Sequence, residues 1–63
     1  MIKWIGPDEY VNDDRRIRRT NNGNWVFYIL VGSGSTEQEW KRVYTTTSLV
    51  YAWRYLKSGE VVL

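Results

Sequence analysis

The chain has 63 residues, nine Lys and Arg against seven Asp and Glu, a net charge of +2, and neither His nor Cys. At this length a single domain over residues 1–63 hides only about 60% of its extended surface, so stability has to come from the 4 Trp, 5 Tyr and 1 Phe. Lack of Cys removes a disulfide framework and thiolate metal sites, and lack of His removes the usual nucleophile–base pairs, so no metal, no cofactor and no enzyme is expected.

No stretch approaches the roughly 18 apolar residues of a membrane span, and there is no charged-then-apolar secretory leader. The reading is a soluble, cytoplasmic protein with no membrane partner. Ile2-Lys3-Trp4-Ile5 reads as a short strand that stops at Gly6-Pro7, because proline cannot donate to a ladder and glycine–proline marks a turn. Residues 8–14 read as loop. Asp8, Glu9, Asp13 and Asp14 concentrate negative charge there, and Arg15, Arg16, Arg18 and Arg19 follow at once. Either the two blocks neutralise each other on a solvated surface, or the arginines leave the acids behind and face a polyanion.

The chain is extended from Arg15 to Thr20. Asn21-Asn22-Gly23-Asn24 is a hairpin signal, since asparagine–glycine supplies the positive φ that a two-residue turn needs. A strand then runs from Trp25 to Val31. All seven of its residues are apolar, so it has two greasy faces, and one helix in so short a chain covers only one of them. Gly32-Ser33-Gly34-Ser35-Thr36 reads as a flexible connection. It lacks the lysine, the preceding parallel strand and the following helix N-terminus of a phosphate-cradling loop. Glu39 to Thr45 reads as a further antiparallel strand.

A helix is predicted from Ser48 to Ser58, with hydroxyl caps at its start and Gly59 at its end. Leu49, Ala52, Trp53 and Leu56 form its apolar stripe. Glu60 to Leu63 adds an edge strand or frays. The expected fold class is therefore α+β, a three- to four-stranded antiparallel sheet with one C-terminal helix packed on one face.

A two-residue turn at Asn22-Gly23 sets Thr20 opposite Trp25, Arg18 opposite Phe27 and Arg16 opposite Ile29. A symmetric second connection sets Val31 opposite Glu39. The helix then packs on Ile17, Val26, Tyr28, Leu30, Trp40 and Tyr44. The reverse face carries Arg16, Arg18, Thr20, Trp25, Phe27, Ile29 and Lys41. Cations interleaved with aromatics on an open sheet suit nucleic acid, cations meeting phosphates and rings packing on bases or sugars. Alternatively, Ile2, Trp4, Ile5, Tyr10 and Val11 fold back over that face, or a second copy closes it. A one-residue slip of the third strand exchanges Trp40 and Tyr44 for Lys41 and Val43.

From Arg16 to Lys57 the chain resembles the arm-site DNA-binding domains of phage and transposon tyrosine-recombinase integrases, a layout shared by plant ethylene-response-factor type domains. The residues carrying the likeness are Arg18, Thr20, the Asn21-Asn22-Gly23 turn, Trp25 to Tyr28, and the passage Val43-Tyr44-Thr45-Thr46-Thr47-Ser48 leading to Ala52. The acidic stretch from Asp8 to Asp14 departs from the basic leader expected before such a sheet. The resemblance implies a sheet that enters the major groove with the helix on its far side. Its DNA-facing residues here are Arg16, Arg18, Thr20, Trp25, Phe27 and Lys41.

The expected function is a small DNA-binding module of phage or mobile-element type. A second class is a small phage-type protein that binds and inhibits a host protein, as anti-CRISPR proteins do, through the sheet or through Tyr51, Arg54 and Tyr55 on the helix. A third is a homodimeric interaction protein.

Overall fold

The computed structural model describes residues 1–32 and 37–62. Five strands form one antiparallel meander in the order β1(Ile2–Gly6), β2(Glu9–Asn12), β3(Arg15–Arg19), β4(Trp25–Val31), β5(Glu39–Thr46), and α1(Leu49–Ser58) follows. The α+β class with a C-terminal helix is as expected, with one more strand than the upper expectation. The additional strand is β2, which lies in the acidic stretch read as loop. Asp8 and Asp13 both take φ of 56°, a left-handed conformation that Asp tolerates better than most residues. Each lets the chain reverse tightly, so Glu9–Asn12 pairs on both sides.

β1 and β2 thus extend the sheet sideways and do not fold back over its second face. Of the connection predicted at Gly32–Thr36, residues 33–36 lie outside the described residues. Residues 60–62 add no strand. No helix among the described residues is long and apolar enough to cross a membrane.

The first arginine-bearing hairpin has a register one residue away from the expected one. Arg16 pairs with Tyr28, Ile17 with Phe27 and Arg18 with Val26. The cause is the turn. Thr20 O accepts from Gly23 N–H at 3.0 Å, Thr20 N–H donates to Asn24 O at 2.7 Å, and Gly23 has φ of 82°. This is a three-residue loop closed by one left-handed glycine, which asks nothing of Asn22, whereas the two-residue turn needs both residues at positive φ. Because strand side chains alternate, the slip exchanges the two faces of β4.

β5 keeps the predicted pairing of Val31 with Glu39, Leu30 with Trp40 and Tyr28 with Arg42, and then a bulge at Val43 shifts it, so Tyr44 meets Phe27. Tyr44 therefore lies on the helix side, as expected, while Trp40, expected there too, lies on the open side with Tyr28 and Leu30.

The core lies between α1 and the face carrying Ile17, Trp25 and Phe27, and it closes on Ala52, Tyr55 and Leu56. Phe27 and Tyr55 stack with ring centroids 4.6 Å apart and planes 3° apart. Such a pair contributes roughly 0.5–1.5 kcal/mol beyond its area. The Tyr55 hydroxyl donates to Tyr28 O at 3.0 Å. Tyr55, assigned from sequence to the interaction set with Tyr51 and Arg54, is thus a core residue at 3% exposure, whereas Leu49, assigned to the apolar stripe, is 52% exposed. The stacking turns the helix so that Ala52, Tyr55 and Leu56 face the sheet and Leu49 and Trp53 move to its flank.

Ser48 Oγ caps the helix by accepting from Tyr51 N–H, and Gly59, at φ 80°, closes it by donating to Tyr55 O at 2.7 Å. The C-terminal end is also clamped from the sheet. Buried Asn12 donates from Nδ2 to Leu56 O at 2.8 Å, and Arg15 donates to Leu56 O and Lys57 O at 3.2 and 3.3 Å. These contacts satisfy carbonyls that a helix end leaves free and set a positive charge at the negative end of its dipole.

Candidate nucleic-acid interface

The sheet face away from α1 carries Arg16 and Arg18 from β3, Val26, Tyr28 and Leu30 from β4, and Trp40 and Arg42 from β5. Lys3, Glu9 and Val11 continue it onto β1 and β2. The strands of this face therefore hold four cations against one carboxylate among the described residues, with two aromatic rings between them.

The cations are not equivalent. Arg16 forms an ion pair with Glu9, both side chains being only 21% exposed. Its guanidinium lies 5.3 Å from the Tyr28 ring centroid and 5.7 Å from that of Trp40. Its Nε is buried without a hydrogen-bond partner among the described residues. Arg16 is thus a fixture that holds two rings in place by cation–π attraction, with its charge already answered. Arg18 and Arg42 are exposed and form no ion pair among the described residues. Beside Arg18, a hollow of about 250 Å³ is lined by Arg18, Arg19, Thr20, Asn21 and Tyr28.

The remaining arginines of the basic segment point to the helix side. Arg15 serves the helix clamp and lies 3.9 Å from Asp14, and Arg19 lies 3.6 Å from Asp8 with both partners about half exposed. Exposed pairs of this kind add little stability, yet they partly cancel the charge of the segment. Of the two readings of the acidic and basic blocks, neutralisation holds for Arg15, Arg16 and Arg19. Only Arg18 leaves the acids behind.

Of the residues assigned to the DNA-facing set from sequence, Arg16, Arg18 and Thr20 stay on the open side, Thr20 at the turn, where its Oγ1 accepts from Asn24 N–H. Trp25 and Phe27 do not, since at 7% and 0% exposure they form the core beneath the helix. Lys41 pairs with Ile29 and so points to the helix side. The register slip moves Trp25 and Phe27 inward and brings out Tyr28, which joins Trp40 and Arg42. Sequence reasoning did not place these three on the face away from the helix. The signal was in the chain, because a three-residue reading of Asn21-Asn22-Gly23 exposes them. Of the helix set, Tyr51 and Arg54 are exposed and Tyr55 is buried.

The chain matches no known protein family, no curated protein and no solved structure. The functional reading therefore rests on the geometry of its own surfaces.

Proposed function

We propose that the chain is a small DNA-binding module of mobile-element type that uses the open sheet face. Arg18 and Arg42 neutralise phosphates, and Tyr28 and Trp40, steadied by Arg16, pack against bases or sugars. The observation that carries this reading is the meeting, on one sheet face, of two exposed guanidiniums without an ion pair among the described residues, two half-buried aromatic rings and the polar hollow beside Arg18. The likeness to arm-site domains supports the same arrangement, sheet toward the nucleic acid and helix behind. The contacts assigned from sequence to Trp25, Phe27 and Lys41 pass to Tyr28, Trp40 and Arg42.

The test is fluorescence anisotropy with a labelled DNA duplex over a salt series. If three phosphates are neutralised, the log–log slope is about −3, and Arg18→Ala with Arg42→Ala makes it shallower by about 2. Both side chains are exposed, so far-UV circular dichroism stays unchanged. Affinity that ignores salt contradicts the proposal.

The exposed apolar residues favour a second reading, a module that binds and inhibits a host protein. Its signature is a complex insensitive to moderate salt, with the loss on mutation concentrated in one or two aromatics.

A further inference from the structure

Five strands at about 4.8 Å spacing make a sheet roughly 19 Å wide, and one helix with its side chains is only about 10–12 Å across. α1 packs over β2 to β5. What it leaves uncovered differs between the two edges. On the β5 side the helix-facing positions include Glu39 and Lys41, which suit water.

On the β1 side they are Ile2 and Tyr10, both partly buried against the core, and Trp4, which is exposed. Trp4 is 68% exposed, although it sits directly opposite Tyr10 in the ladder. Tyr10 meets Trp53 edge to face at 5.2 Å, and a cleft of about 520 Å³ runs along the helix flank beside them, lined by Tyr10, Leu49, Val50, Trp53, Arg54 and Lys57. Leu49 and Val50 are 52% and 61% exposed. An apolar strip of this kind, continuous from a strand to the flank of a helix, marks an interaction surface.

The charge of the rim selects the occupant. No carboxylate lines the cleft. Arg54 and Lys57 stand one turn apart along its helix side, and neither forms an ion pair among the described residues. From Leu49 to Lys57 the helix flank is about 12 Å long, room for two turns of a second helix beside the first.

We infer that this groove takes an amphipathic helix of a partner protein, whose apolar side covers Trp4, Tyr10 and Trp53 and whose acidic flank meets Arg54 and Lys57. The occupant completes the layer that α1 leaves half built, in the helix-in-groove manner. The groove lies on the opposite side of the sheet from Arg18 and Arg42, so this inference stands whether or not DNA binds there. Together the two surfaces make an adaptor with one site for a polyanion and one for an acidic helix.

The experiment uses two synthetic peptides of roughly 14 residues, four helical turns, with the same leucine and tryptophan stripe. One is flanked by glutamates and the other by lysines, and binding to the full chain is read by isothermal titration. The glutamate peptide is expected to bind at least tenfold more tightly, to lose that binding with Trp4→Ala, and to lose its preference with Arg54→Glu plus Lys57→Glu. All three positions are solvent-facing, so the variants keep the fold, which circular dichroism checks. Equal binding of both peptides, or of neither, overturns the inference. Sedimentation velocity that shows a dimer abolished by Trp4→Ala also overturns it, in favour of a second copy as the occupant.

Discussion

The two faces of β4 are built from the same kinds of residue and do opposite work. On one, Phe27 is fully enclosed by Ile17, Tyr44 and Tyr55 and holds the helix to the sheet. On the other, Tyr28 lies half-buried beside Arg16, with no second layer over it among the described residues. Aromatic content alone does not tell the core face of a strand from its open face. What separates Phe27 from its neighbour is a single glycine at φ 82°, which sets the register and so decides which ring goes inward.

The largest test of this contrast is Phe27→Ala against Tyr28→Ala. Loss of Phe27 removes a fully buried ring and its stacking partner, and costs about 3–5 kcal/mol, enough to unfold most molecules of so small a domain. Loss of Tyr28 costs less than about 1.5 kcal/mol and instead weakens DNA binding. Urea unfolding followed by tryptophan fluorescence separates the two outcomes. Equal destabilisation breaks the comparison.

Next comes Arg16 against Arg18. Arg16→Ala leaves Glu9 half-buried without its partner and lowers stability by roughly 1–3 kcal/mol. Arg18→Ala leaves stability within about 0.5 kcal/mol, as for an exposed surface change, while it reduces the salt dependence of DNA binding. Thermal denaturation of the two variants measures the difference.

A smaller effect concerns Tyr55. Burial raises its hydroxyl above the usual tyrosine value, Arg15 pulls it partly back, and Asp14 adds to the rise. The folded chain therefore holds this proton more tightly than the unfolded chain does. The stability it lends is fully present below about pH 10, the unfolded value, and is lost as pH climbs past it toward the folded one. Tyr55→Phe costs about 1 kcal/mol through the lost bond to Tyr28 O, and its stability falls less steeply above about pH 10. Parallel alkaline titrations followed by circular dichroism check both points.

Much of the architecture was legible in the chain. Ser48 and Gly59 bound the helix as their chemistry requires, and the unbroken apolar run from Trp25 to Val31 is the central strand. The acidic stretch was not legible as a strand, because Gly6-Pro7 marks only its first reversal, while the second rests on left-handed Asp13 with no glycine to mark it. The composition of the sheet face away from the helix was legible in kind, cations among rings, and half legible in residues. Arg16, Arg18 and Thr20 were placed on it, and Tyr28, Trp40 and Arg42 were not, since two loop lengths compete at one asparagine–glycine pair. The position of Trp4 beside Tyr10 depends on β1 and β2 pairing as a tight hairpin, which reading residues 8–14 as loop misses.

The four tryptophans report on the surfaces separately. Trp40 belongs to the open face, Trp4 and Trp53 to the groove side, and Trp25 to the core. The most direct test is a two-dimensional ¹H–¹⁵N spectrum of the labelled chain during titration with duplex DNA. The indole signal of Trp40 is expected to move together with the Arg18 and Arg42 amides, while those of Trp4, Trp25 and Trp53 stay still. Movement of Trp4 and Trp53 with Trp40 unchanged contradicts the account.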